Sequence, residues 1–223
     1  MATPEKGFLL DLHLHTDVSP CGGQSLKECL LRAKACGLHL VCITDHFSTE
    51  AASELPQLKE KDLPQAVVGM EYSTRDGDFI LLAPQKVPYW PRGLSTEEIS
   101  WEIHRLGGII IWAHPFRWGR KVREEILEKG LVDAIEVLNG RTSPLENEKA
   151  YLLAEAYGLP ATAGSDAHFP DEIGTVANLC PERIEDAAQL IAAIKEGLLK
   201  PVVLSRDLRR FYKRNLGIID KPL

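Results

Sequence analysis

Apolar and β-branched runs alternate with amphipathic stretches along almost the whole chain, the pattern of strands that are each followed by a helix. The runs that read as strands are 7–12 (GFLLDL), 39–44 (HLVCIT), 66–70 (AVVGM), 78–83 (DFILLA), 108–113 (GIIIWA), 133–138 (DAIEVL), 160–163 (PATA) and 201–204 (PVVL). Between them, SLKECLLRAKACG places apolar residues at Leu26, Cys29, Leu30, Ala33 and Cys36 before a glycine stop, which predicts a helix. STEEISWEIHRLGG opens on Ser95 or Thr96 as cap and carries Glu97 and Glu98 in the first turn, where the helix dipole favours them. It ends at Gly107 and Gly108, and SPLENEKAYLLAEAYG and RIEDAAQLIAAIKEG repeat the plan. Seven or eight strands, mostly followed by helices, fit a closed α/β barrel in a single domain better than a doubly wound open sheet, which shares the same local pattern.

A barrel demands that its functional residues sit at the C-terminal ends of strands. The first run leads into His13 and His15, the second into Asp45 and His46, the third into Glu71, GGIIIWAHPFRWG into His114, and PATAGSDAHF into Asp166 and His168. Of the seven histidines, only His39 and His104 lie elsewhere. A single histidine after a strand is usually a loop residue, but five at strand ends beside two carboxylates is an improbable accident. Imidazole with carboxylate is the donor set that divalent Zn, Mn or Fe takes, which points to a centre of more than one metal. His13 and His15 are two apart, so on a strand both project to one face.

Composition narrows the function further. The chain has 223 residues, 44% hydrophobic and 26% charged, enough for one substantial core. A formal charge of −6 excludes a broad basic surface for nucleic acid, although a local basic pocket stays compatible with it. No apolar run is long enough to span a membrane, and the N-terminal residues do not read as a signal peptide, so a cytoplasmic location without a membrane partner is expected. Five cysteines without a CxxC pair suggest buried reduced thiols. The one shift in composition is a basic tail over 206–223, where Arg206, Arg209, Arg210, Lys213 and Arg214 surround Phe211 and Tyr212. It reads as a solvated helix laying its aromatic pair on a domain of residues 1–205.

The motifs DLHLHT, TDH, GMEYST, AHP and GSDAH, in this order over residues 8–170, resemble the PHP (polymerase and histidinol phosphatase) family. The resemblance implies a distorted (β/α)7 barrel with two or three divalent ions and phosphoesterase activity. It implies that His13, His15, Glu71 and Asp166 hold a first metal, that Glu71 bridges to a second held with His114, and that His46 and His168 serve a third. Two positions depart from the family pattern. Pro20 stands where many members have a ligand, leaving Asp17 as a substitute, and Asp78 stands where a histidine on the second metal is common.

Two metals a few ångströms apart can generate a bridging hydroxide at neutral pH for attack on phosphorus. Phosphoryl oxygens then need cations, for which Arg117 is the first candidate, with Arg120 and Arg141 behind it. Asp166 and His168 complete the expected catalytic set, His168 as a candidate proton donor to the leaving group. The expected substrate is a small phosphomonoester, a nucleotide or a short nucleic acid. An amidohydrolase-type reaction and a non-catalytic metal-binding domain are the alternatives.

Overall fold

A computed structural model describes residues 7–215, apart from the side chains of 210, 211 and 213–215. Its strands are β1 (Phe8–Leu14), β2 (Leu40–Ile43), β3 (Gln65–Val68), β4 (Met70–Ser73), β5 (Asp78–Leu82), β6 (Ile109–Ala113), β7 (Ala134–Asn139), β8 (Ala161–Gly164), β9 (Val176–Cys180) and β10 (Lys200–Val203). Its helices are α1 (Leu26–Ala35), α2 (Ala51–Glu54), α3 (Thr96–Arg105), α4 (Glu125–Glu128), α5 (Pro144–Tyr157), α6 (Ala187–Lys195) and α7 (Arg206–Asn215). Local chemistry sets the long helices. Ser25, Ser95 and Ser143 each cap a helix in a reciprocal box with Glu28, Glu98 and Glu146, and Gly158 ends α5 in the left-handed conformation at φ 64°.

The strands form two five-stranded sheets, in the orders β10-β9-β1-β2-β3 and β4-β5-β6-β7-β8. The chain is therefore a mixed α/β domain, and the closed barrel expected from the strand pattern is not confirmed, because neither sheet closes on itself. Two features explain the difference. The run 66–70 breaks at Gly69, so β3 stays with one sheet and β4 begins the other. Strands β5 and β9 run antiparallel to their neighbours, and β9, absent from the sequence reading, extends the first sheet past β1.

The sheets instead meet at two seams of isolated bridges, Leu14 with Ala167 and His46 with Glu71. At the first seam the Asp166 amide donates to the His13 carbonyl at 2.7 Å and the His15 amide to the Ala167 carbonyl at 2.9 Å. Buried Asn178 ties the same seam from β9: it accepts from the Ala163 amide at 2.8 Å and donates to the carbonyls of Leu10 and Ala163. Side chains from both sheets, including Leu10, Leu12, Cys42, Ile80, Leu82, Ile109 and Ile111, share one buried cluster with Leu190, Ile191 and Ile194 of α6. Burying such side chains, at about 1.5–3 kcal/mol each, is what holds the sheets together.

Cys29, Cys42 and Cys180 are buried, Cys36 is half-buried and Cys21 is exposed, all as free thiols. Tyr212 is buried against α5, where its hydroxyl meets Asn147 Nδ2 at 2.7 Å. The side chains of Arg210, Phe211, Lys213 and Arg214, and residues 216–223, lie outside the described residues. Among the described residues no helix is long and apolar enough to cross a membrane.

Candidate metal centre

The seams deliver side chains to a common point. His13 lies in β1 rather than beyond its end, His15 follows that strand, Glu71 sits near the start of β4, His114 follows β6, and Asp166 and His168 follow β8. His13, His15, Glu71, His114 and Asp166 are all buried. The approach of β8 to β1 requires Gly164, since a Cβ there would collide with His13 Cβ and lie 2.7 Å from Glu136 Oε1. His114 and Asp166 hold positive φ, 31° and 55°, sparsely populated conformations for residues with a side chain.

Donor atoms converge around His13 and His15. Their Nε2 atoms are 3.1 Å apart, and His15 Nε2 lies 3.3 Å from Glu71 Oε2 and 3.2 Å from Asp166 Oδ1. His13 Nε2 is 3.4 Å and 3.6 Å from the same two oxygens. Neighbouring donors about 2.1 Å from one ion are about 3.0 Å apart at a right angle and about 3.4 Å apart at a tetrahedral angle. The observed separations match that spacing.

Hydrogen bonding behind the rings settles which nitrogens are free. His13 Nδ1 faces Glu136 Oε1 at 3.0 Å, so its proton belongs there. His15 Nδ1 faces Ser19 Oγ at 3.3 Å, and that hydroxyl already donates to Asp45 Oδ1 at 2.6 Å, so it accepts from His15. His168 Nδ1 lies 2.8 Å from the Asp166 carbonyl, which can only accept. All three rings therefore turn Nε2 lone pairs outward. Two lone pairs 3.1 Å apart repel unless a proton or cation sits with them, and this is the observation that fits the donor set to a metal.

Electrostatics carries the same message. Burial opposes charge on His13, but Asp166, Glu136 and Glu71 outweigh it and hold its pKa well above the ordinary value. Burial likewise opposes charge on Glu71 and Asp166, yet His13 and the hydrogen bonds from neighbouring imidazoles hold both carboxyls well below the usual range. The pocket is built to keep carboxylates ionised around a positive charge. Asp11, whose carboxyl burial raises to about 7, accepts from the amides of Ser165 and His13 and supports the strand beneath the site.

Glu71 faces two ways. Its Oε2 lies 3.0 Å from His46 Nδ1 as well as near His13 and His15, whereas Oε1 lies 3.1 Å from His114 Nε2. Asp78 Oδ2 is 3.9 Å from His114 Nδ1, a buried nitrogen without a hydrogen-bond partner. His15, His46 and His168 make a further group, with the His15 ring centroid 4.6 Å from that of His46 and 4.4 Å from that of His168. Every predicted ligand is thus brought together. Asp17 is exposed and joins none of the donor groups found among the described residues.

The arginines are already engaged. Arg117 Nη2 donates to Asp166 Oδ2 and, at 2.7 Å, to Asn139 Oδ1, while Nε reaches Thr142 Oγ1 at 3.2 Å. Arg120 Nη1 donates to Asp78 Oδ2 at 2.5 Å, and exposed Arg141 lies 3.6 Å from Glu172. Sequence reasoning missed Glu136, Ser19 and the role of Asp45. The available signal for Glu136 was a carboxylate inside the otherwise apolar run AIEVL.

A family model described as PHP-associated matches residues 144–199, the segment that carries Asp166 and His168. Two uncharacterized proteins of Methanocaldococcus jannaschii, MJ1587 and MJ0417, are 30% and 32% identical over 140 and 176 residues. The alignments cover 58% and 74% of this chain and 80% and 67% of theirs. The chain belongs to the PHP family.

Solved structures place the PHP fold over most of its length. A two-domain protein of Bacteroides vulgatus containing a predicted PHP-like metal-dependent phosphoesterase matches with a TM-score of 0.67 at 17% identity, over 94% of this chain and 70% of that one. The lesion-specific endonuclease Q of Pyrococcus furiosus matches with a TM-score of 0.68 at 20% identity, over 86% of this chain and 56% of that one. At these identities the likeness is one of fold.

Proposed function

We propose that this PHP protein is a metal-dependent phosphoesterase whose buried donors hold a cluster of divalent ions. The reading rests on the two faces of Glu71, with Oε2 among His13, His15 and His46 and Oε1 on His114. One carboxylate shared by two sets of imidazoles is the arrangement a bridging ligand needs. His13, His15, Glu71 and Asp166 would hold the first ion, Glu71, His114 and Asp78 the second, and His46 and His168 the third. Zn, Mn and Fe all suit these donors. Ions held there supply Lewis acidity toward phosphoryl oxygens and lower the pKa of water toward neutrality.

The chain's own groups do the rest. Arg117 fixes Asp166 and, with Arg120, sets guanidinium groups beside the donors, where they meet phosphoryl oxygens. Burial and His15 hold the pKa of His168 below its ordinary value, and its Nδ1 proton is committed to the Asp166 carbonyl. His168 would therefore enter the centre as a neutral ligand.

The test is a panel of phosphomonoesters, nucleotides and 5′-phosphorylated oligonucleotides, beside amide and lactone substrates, against protein reconstituted with Mn, Zn or Fe. Phosphate release that requires added metal and stops with chelator is expected. Turnover of amides or lactones alone, or of nothing under any metal, would overturn the reading.

A further inference from the structure

Trp118 is 82% exposed, and it stands one residue after Arg117 and four after His114. Its backbone is unusual as well. Trp118 holds left-handed angles (φ 56°, ψ 31°) that favour glycine, and the turn around it is fastened on both sides. The Gly119 amide donates to the Phe116 carbonyl at 3.0 Å and to Glu146 Oε1 at 3.1 Å, which moors the turn to the first turn of α5. The backbone that carries the indole is thus held in place.

Two guanidinium groups flank it, Arg117 Cζ at 5.9 Å and Arg120 Cζ at 5.7 Å from the ring centroid. These same groups reach Asp166 and Asp78 on their other side, so each connects the indole to the cluster of metal-ligating side chains. Exposed Trp101 offers a contrast. Its cation partner is Arg105, four residues along the same helix, and no residue of the donor cluster touches it in that pairing.

We propose that Trp118 is a stacking platform for a planar aromatic ring carried by the substrate, so that the substrate class is a phosphoester bearing a nucleobase. This rests on the phosphoesterase reading. The phosphoryl group lies at the metals and arginines, and the base lies on the indole, which accepts any base because every base has a π-face.

The experiment compares wild-type protein with Trp118→Ala and Trp118→Phe, all Mn-loaded and matched for circular dichroism. Adenosine 5′-monophosphate and ribose 5-phosphate share the phosphoester and differ in the base. The alanine variant should lower the preference for the nucleotide, as a ratio of kcat/KM values, by about 10- to 100-fold, mainly through KM, while phenylalanine retains most of it. Tryptophan fluorescence gives a readout without turnover: the nucleotide should quench the wild type and not Trp118→Phe, whose remaining tryptophans are Trp90, Trp101 and Trp112. An unaltered preference in Trp118→Ala, or quenching that survives in Trp118→Phe, overturns the proposal. Hydrolysis of neither phosphoester alongside quenching that depends on Trp118 would instead sink the phosphoesterase reading and leave the platform standing.

Discussion

The candidate centre has a dry half and a wet half. His13, His15, Glu71, His114 and Asp166 are essentially without solvent contact, whereas the side chains of His46, His168 and Asp78 are 29%, 12% and 14% exposed. Of the dry donors, His13, His15, Glu71 and Asp166 lie at the seams between sheets and His114 follows β6, and each of His13 and His15 has its back nitrogen committed to an acceptor. His46 and Asp78 carry fewer such supports. On the proposed reading the difference teaches that one part of the centre is fixed by folding and would hold its ion tightly, while the other part is completed at the mouth and would exchange ion and substrate with solvent.

The sharpest way to break that contrast is Asp166→Ala. It removes a donor from the dry half and leaves Arg117 without its carboxylate. Metal-dependent turnover should fall to background, and metal content by mass spectrometry should drop, with circular dichroism retained. His46→Ala, in the wet half, should lose less metal and keep measurable activity. Equal losses in the two variants would erase the distinction between the halves.

What the sequence disclosed follows the same division. The histidines were legible because strand-end placement and the two-residue spacing of His13 and His15 are local signals. Glu136 and Ser19 were not, because each acts on a histidine through a contact that only the folded chain creates, Glu136 lying 123 residues from His13. Strand direction was equally hidden: DFILLA reads the same whether β5 runs parallel or antiparallel. The seams were hidden too, since nothing in the run 66–70 distinguishes a continuous strand from two strands that part at Gly69.

Glu136→Gln tests the support behind the dry half with an intermediate effect. The amide keeps the volume but weakens the hold on the Nδ1 proton of His13, so the Nε2 lone pair is no longer guaranteed. Losses of about 10- to 100-fold in metal affinity or activity are expected, the range for such supporting partners. Isothermal titration of metal-stripped protein with Mn reads the affinity directly. An unchanged affinity would make Glu136 a partner of the His114 and Asn139 nitrogens only, which it also accepts from at 3.0 Å.

The smallest effect concerns stability against pH, where the proton and the metal compete for one place. Glu71 and Asp166 have lowered pKa values in the folded chain, so their contribution is present above about pH 4 and is lost as pH falls through the folded values. His13 has a raised value, so its contribution is full below about pH 6.5 and is lost as pH rises through the folded value. Metal-stripped protein should therefore be most stable between about pH 4.5 and 6.5 and lose several degrees of thermal midpoint toward about pH 9, at about 2–4 °C per kcal/mol for a chain of this size. In metal-loaded protein the ion stands where the proton stood, and the alkaline loss should vanish. Thermal midpoints with and without chelator across that range read both curves. A flat alkaline arm in the stripped protein would mean that no positive charge is needed among the dry donors.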